Sequence, residues 1–298
     1  QDGGSTFHNR FTTYEMIRGQ EGDAWHGKAQ GFQHNVDLKR QDAVNREAMP
    51  REEDHPHVKT FEAGMKFLEE NVDADTWYLQ LEYFDPHEPY FVPEKYKQLY
   101  EDAPLEFDWP YYGQVQPGDE VHQARVNYRA VLSMLDTYLG KLLDFLDAHD
   151  MWKDTMVIVN TDHGYMLGEH GYFGKNYMPM YDEIVHTPFF LWEPRTVKAG
   201  TRCDTLCQTI DIAPTLLDFF GITPPGTMQG KSMLPVVASG EKIHDYILFG
   251  YFGKHVNITD GRYVYMRSGR MKSEGHLNNY TLLPLHMFEM FSLKELKE

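Results

Sequence analysis

The sequence predicts an α/β protein, a mostly parallel sheet flanked by helices, followed by a small antiparallel subdomain. Three observations carry that expectation. Residues 155–159 are a short β-branched and apolar run with Lys153 and Asp154 before it and glycines after it, the texture of a strand buried on both faces. Upstream, residues 122–149 place Val131, Leu135, Leu139, Leu142 and Leu146 three to four positions apart, with Leu132 and Leu143 widening the stripe. That pattern is a long amphipathic helix feeding the strand, as a parallel sheet requires. Beyond about residue 240 the texture changes to short aromatic runs at 246–249 and 262–265, which suit antiparallel strands.

The remaining elements follow in chain order. Residues 1–55 are rich in Gly, Asp, Gln and Arg with weak periodicity, and read as an irregular arm anchored by Phe7, Phe11, Tyr14 and Trp25. Residues 59–71 carry Phe61, Met65 and Leu68 on one helical face. Residues 77–84 are aromatic and apolar enough for a strand, which Asp85-Pro86 ends. Five prolines between 86 and 110 then mark a long ordered loop near the cleft. Residues 189–192 make a further short strand, and 210–220 a helix that Gly221 stops.

Composition narrows the function classes. A chain of 298 residues with 41% hydrophobic and 14% aromatic content can build a substantial core. No apolar run reaches the length of a membrane span. The formal net charge of −17 argues against a nucleic-acid partner. An anionic substrate is compatible with that charge when positive groups are focused in a cleft. Two cysteines, Cys203 and Cys207, define no disulfide framework and read as small packing residues.

The chemistry concentrates in Asn160-Thr161-Asp162-His163-Gly164, which closes the 155–159 run, and in Gly168-Glu169-His170-Gly171 and Lys175 just beyond. Open parallel sheets place their ligands at the carboxyl ends of strands. A carboxylate beside an imidazole suits a divalent cation, and a nearby lysine could hold an anion bound to it. The plainer alternative for Asp162-His163 is a turn capping the next helix, and for Lys175 a solvated surface lysine. Asp54-His55-Pro56-His57 brings histidines together without further ligands nearby and reads as a polar loop. The methionines, Met178 and Met180 included, read as packing residues. Asn257-Ile258-Thr259 and Asn279-Tyr280-Thr281 fit the glycosylation sequon, and Asp211 reads as a helix cap.

These motifs occur in a recognisable order. Ala130-Val131-Leu132-Ser133-Met134-Leu135-Asp136, the Asn160 to Gly171 stretch, Gly174-Lys175-Asn176, His186-Thr187-Pro188-Phe189 and Asp211-Ile212-Ala213-Pro214-Thr215 together resemble the sulfatase branch of the alkaline phosphatase superfamily. Asp85-Pro86-His87-Glu88-Pro89-Tyr90 upstream, and Gln229-Gly230-Lys231-Ser232 and Asp260-Gly261-Arg262 downstream, extend the likeness. The resemblance implies an alkaline phosphatase-like fold and a divalent metal held in part by Asp162 and His163. Calcium is the expected ion, with manganese or magnesium as alternatives. It also implies that Lys175 contacts the sulfate or phosphate group and that His87 protonates the leaving alkoxide, a loop histidine without chemistry being the alternative. His170 could touch substrate or orient the loop around Lys175. The substrate class is a small-molecule or glycan sulfate ester, and a periplasmic or secreted compartment is favoured.

The departures from the family pattern matter equally. Sulfatases of this branch use a cysteine in a Cys-x-Pro/Ala-x-Arg context, oxidised to formylglycine, and neither Cys203 nor Cys207 stands in one. The amino-terminal Asp-Asp metal ligands and the Lys-x-His element are not found either. The chain is therefore expected to be a fragment: residues 1–240 a partial catalytic domain, residues 241–298 the start of the antiparallel subdomain, and the polypeptide inactive alone. His163, where many sulfatases carry Asn, resembles the phosphonate monoester and choline sulfatase branches. A phosphonate monoester or phosphodiester hydrolase is thus the enzyme alternative, and a catalytically dead binding remnant the other. The sequence does not fix the oligomeric state.

Overall fold

A computed structural model describes residues 7–28, 37–196, 198–251, 255–267, 285–286 and 289–295. The chain divides into two units, residues 17–247 and a second composed of residues 1–16 with 248–298. The sequon at Asn279 lies outside the described residues.

The larger unit opens with helix α1 (Leu38–Arg46), whose amino end is capped by the Asp37 carboxylate accepting from the Lys39 amide at 3.1 Å. Helix α2 (Pro56–Glu70) begins on a proline, which has no amide proton to leave unsatisfied there. A short α3 (Glu94–Lys97) interrupts the proline-rich connection, and β1 (Gly113–Gln114) follows. Helix α4 (Asp119–Ala148), with two acidic residues in its first turn, is the backbone of the unit. Then come β2 (Val157–Asn160), β3 (Met166–Leu167), β4 (Tyr172–Gly174), α5 (Asp182–Val185) and β5 (Phe189–Trp192). Helices α6 (Ile212–Phe219) and α7 (Leu234–Ser239) complete it. The main core packs Val58 and Phe61 of α2, Ala130, Val131, Met134 and Tyr138 of α4, and Tyr90, Leu167 and Phe173 together.

Strands β6 (Ile247–Gly250), β7 (Val256–Thr259) and β8 (Val264–Arg267) form one sheet, and β9 (Leu285–His286) pairs antiparallel with β10 (Glu289–Met290). The β7–β8 ladder is antiparallel, as the texture beyond residue 240 predicts. Asn257 is 1% exposed, so the folded β7 offers that sequon no acceptor.

Several expectations are corrected. Residues 1–55 contain α1, which weak apolar periodicity concealed. Residues 77–84 form no ladder among the described residues, although exposure alternates along 77–82 as in a strand. Trp77 and Leu79 pack against the helical layer, and Leu81 lies against Gly64 of α2. β2 pairs antiparallel with β5, Val157 opposite Trp192 and Asn160 opposite Phe189, and its other edge is unpaired among the described residues. β2 is consequently half-buried. The ladders registered among the described residues are antiparallel, so the expected parallel pairing is not expressed in them. Asp211, read as the cap of 210–220, stands at the N-cap of α6 but makes no side-chain capping bond there; its side chain completes the capping box of the 3-10 turn Thr209–Asp211, whose N-cap is Gln208. Its buried carboxylate accepts from the Gln208 amide, the Lys231 amide and His244 Nε2 at 2.8, 2.8 and 2.9 Å.

Between residues 77–84 and β2 lies a cavity of about 1900 Å³. Leu132, Leu135, Leu139 and Leu142 of α4 face it, as do Leu216 and Phe219 of α6. With Leu146, five of the seven residues of the predicted apolar stripe of α4 therefore border this space, while Ala130, Val131, Met134 and Tyr138 fill the core.

Candidate active site

Lys175 emerges from β4, which is fixed by the fully buried Phe173 and by pairing with β1 and β3. Gly174 precedes it at φ +118°, a conformation open to glycine and strained for other residues. The lysine turns inward. Its Nζ lies 2.6 Å from His87 Nε2 and 3.5 Å from Glu88 Oε2. His87 Nδ1 meets the Glu88 carbonyl oxygen at 2.5 Å. A carbonyl only accepts, so Nδ1 carries the ring proton and Nε2 offers its lone pair to the Lys175 ammonium. Burial first, and Lys175 after it, hold His87 below the usual histidine range, with Glu88 opposing. The short contact therefore has Lys175 Nζ donating and His87 Nε2 accepting.

Glu88 is 3% exposed and holds the pair from behind. It accepts from the Tyr112 hydroxyl at 2.5 Å. Burial, then that hydrogen bond, push the Tyr112 phenol up, so it remains a donor. Neither Glu88 nor Tyr112 was singled out by sequence reasoning. The signal available was a carboxylate lodged between His87 and Pro89; its burial is a tertiary property.

Asp162 and His163 follow β2 directly. Asp162 Oδ1 accepts the His163 amide at 2.8 Å, and Oδ2 stands 3.3 Å from His163 Nε2. His163 Nδ1 faces the Gly164 carbonyl at 3.0 Å and carries the proton by the same reasoning. In the neutral ring Nε2 is left as a lone pair beside a carboxylate oxygen, two electron-rich atoms that a cation would bridge. Gly164 locks the loop: its amide donates to the Ile184 carbonyl at 2.8 Å, and a Cβ there would lie 1.8 Å from the Glu183 carbonyl oxygen.

Asp162, His163, His87 and Lys175 all line one end of the large cavity, and His163 is near enough to lower His87 electrostatically. His170 does not line it. Its ring stacks on Tyr181 at 3.9 Å, its Nε2 lies 3.5 Å from Glu183, and its φ is +51°. Glu169, in the same turn, is held by Arg125 at 2.7 Å and accepts the Leu167 amide at 2.6 Å. Among the described residues no group of three or more Asp, Glu, His or Cys could enclose a metal ion. Asp162 and His163 fit a cation as two neighbouring ligands, short of the donor number that calcium or manganese takes.

The chain resembles known proteins in sequence and in fold. The Sulfatase family profile matches residues 3–222, and that of the N-sulphoglucosamine sulphohydrolase C-terminal region matches residues 168–293. The chain belongs to the sulfatase family. An N-acetylglucosamine-6-O-sulfatase of Bacteroides thetaiotaomicron is 34% identical over 116 residues, 39% of this chain and 20% of that protein. Arylsulfatase K of Homo sapiens is 29% identical over 238 residues, 75% of this chain and 42% of that protein. The chain thus spans less than half the length of these relatives. A phosphonate monoester hydrolase of Agrobacterium radiobacter superposes with a TM-score of 0.60 at 21% identity, covering 73% of this chain and 53% of that one. A 2-O GAG sulfatase does so with a TM-score of 0.51 at 20% identity, covering 71% and 53%. These likenesses give the alkaline phosphatase-like fold, and the family is one of hydrolases.

Proposed function

We propose that this chain carries the leaving-group and anion-binding half of a sulfuric ester hydrolase. One observation carries the reading: the 2.6 Å Lys175–His87 contact, backed by buried Glu88, at the cavity end that also holds Asp162 and His163. The Lys175 ammonium offers protons to the non-bridging oxygens of the ester, where negative charge builds as the bond to the alcohol breaks. The same pair supplies the proton for the leaving alkoxide. His87 Nε2, unprotonated at rest, takes a proton from Lys175 Nζ and passes it to that oxygen as its bond to sulfur breaks, leaving Lys175 neutral, with Glu88 keeping both side chains in place. His170 acts through Tyr181 and Glu183 on the loop that presents Lys175. Asp162 and His163 would be two ligands of a divalent ion, calcium by its preference for hard oxygen donors, with the imidazole widening the choice toward manganese. When bound, such an ion would polarise the ester oxygen. The nucleophile is assigned outside the described residues, residues 1–240 to a partial catalytic domain, and 241–298 to the antiparallel subdomain.

A second reading has its own support. His163 directly after Asp162 favours a phosphonate monoester or phosphodiester hydrolase. The two are separated by steady-state rates of the full reading frame encoding residues 1–298 on p-nitrophenyl sulfate and p-nitrophenyl phenylphosphonate. A kcat/KM preference for the sulfate, lost at least a hundredfold in Lys175→Ala, is the expected outcome. A preference for the phosphonate overturns the first reading. The 298-residue chain alone is expected to turn over neither.

A further inference from the structure

The end of β1 stands opposite the end of β4, and one side chain reaches from there to the His87 loop. Gly113 pairs with Phe173 and Gln114 with Tyr172. Continuing that register by one residue brings Tyr112 opposite Gly174, the residue before Lys175. We propose that Tyr112 is a positioning residue of the reaction: through Glu88 it holds the Lys175 ammonium at His87 and readies the pair to protonate a leaving oxygen. The assignment rests on the sulfuric ester reading, which supplies that oxygen.

Gly174 has no side chain, and the Tyr112 ring takes up that room: a Cβ at Gly174 would lie 3.3 Å from Tyr112 Cγ. Tyr165 meets the ring edge-on, with centroids 5.8 Å apart and planes at 70°. The Tyr165 hydroxyl in turn donates to the Pro110 carbonyl at 3.4 Å. The Tyr112 ring is thus seated against the end of β4 and the loop that follows His163. From that seat its hydroxyl crosses to the loop of residues 85–90 and donates to Glu88 Oε1 at 2.5 Å. Glu88 is buried, so turning its carboxylate away would leave a buried oxygen without a donor. Oε2 is held accordingly, 3.5 Å from Lys175 Nζ and 3.4 Å from His87 Nδ1. The ammonium therefore has a fixed counter-charge at the point where it meets His87 Nε2. Without the hydroxyl the carboxylate can rotate, and the lysine loses that anchor. Tyr112 keeps its own proton and moves none.

Two measurements test the assignment. Nitrogen NMR of the histidine rings in the 298-residue chain needs no nucleophile and no substrate. The His87 Nε2 signal is expected to carry the mark of the hydrogen bond from Lys175. It is expected to move toward that of a free imidazole in Tyr112→Phe, which keeps the ring on Gly174 and removes only the donor. Glu88→Gln, which keeps an acceptor for Tyr112 and removes the charge, is expected to do the same. The second measurement uses the full reading frame. Tyr112→Phe is expected to lower kcat/KM about tenfold for phenyl sulfate and about twofold for p-nitrophenyl sulfate, because phenolate, the more basic leaving group, needs the proton more. Because Tyr112 acts through Glu88, the double variant is expected to lose no more than Glu88→Gln alone. A parent-like His87 signal in Tyr112→Phe, equal losses on the two esters, or additive losses in the double variant overturns the assignment. A preference for p-nitrophenyl phenylphosphonate overturns the ester reading and leaves the NMR result standing, so the two failures are distinguishable.

Discussion

In the Lys175–His87 pair one buried carboxylate organises a lysine and a histidine. Glu88 stands 3.5 Å from Lys175 Nζ, which in turn meets the lone pair of His87 Nε2 at 2.6 Å. Because Lys175 contributes to holding His87 low, Lys175→Ala is expected to raise the His87 pKa, read from its ring-proton shifts in an NMR titration. An unchanged or lower value would show that burial alone sets it. A second buried histidine makes a stability prediction. His57 is 3% exposed, neither ring nitrogen has a hydrogen-bond partner, Asp85 Oδ2 stands 3.8 Å from Nδ1, and Tyr83 and Tyr138 lie against the ring at 4.4 and 5.5 Å. Burial lowers it to about 4, so between about pH 6.5 and 4 the unfolded chain takes up a proton that the folded chain refuses. Its contribution is therefore lost as the pH falls through that window, by about 3 kcal/mol at 1.36 kcal/mol per pKa unit. Nearby Asp85, raised by burial to about 7, acts with opposite sign. Comparison of His57→Phe with the parent isolates the histidine. The variant is expected to gain about 3 kcal/mol relative to the parent in urea unfolding as the pH falls from 6.5 to 4, and a pH-independent difference would count against it.

At the scale of elements, the site depends on two loops pressed against their neighbours. Gly164 cannot gain a side chain unless the Glu183 backbone moves, because a Cβ would sit 1.8 Å from its carbonyl oxygen. Gly164→Ala is expected to cost about 3 kcal/mol or more and to lower the melting midpoint by roughly 5–10 °C. A midpoint within 1–2 °C of the parent, on the order of measurement error at this size, would mean that α5 yields easily. These elements differ in how far the sequence disclosed them. Helices α2 and α4 and strand β5 were legible because periodicity and flanking breakers agree there. Positions 77–84 were legible as extended chain but not as unpaired, since alternation reports which face packs and not whether an edge finds a partner. Helix α1 was hidden by its polar sequence. For the proposed site, family motifs supplied Lys175, His87, Asp162 and His163 as candidates, and all four line the large cavity. The roles of Glu88 and Tyr112 escaped because burial and hydrogen bonding across 24 positions leave no local signature.

At the scale of the whole molecule, a negative chain presents a partly basic site at a cavity of about 1900 Å³ with apolar helical walls and strand edges that are unpaired among the described residues. Exposed apolar surface of this kind binds hydrophobic dyes, and an open β edge promotes association. The metal behaviour follows from the same geometry. As the proposed ligands, Asp162 and His163 are two, and among the described residues no third Asp, Glu, His or Cys joins them, too few to hold a hard cation tightly. Metal stabilises the fold only when its concentration exceeds the dissociation constant. Calcium or manganese at about 1 mM is therefore expected to move the melting midpoint of the 298-residue chain by less than roughly 2 °C. Scanning fluorimetry with and without each ion makes the measurement, with Asp162→Ala as the control. A larger shift, abolished in Asp162→Ala, would show that further side chains complete the ligand set around Asp162 and His163.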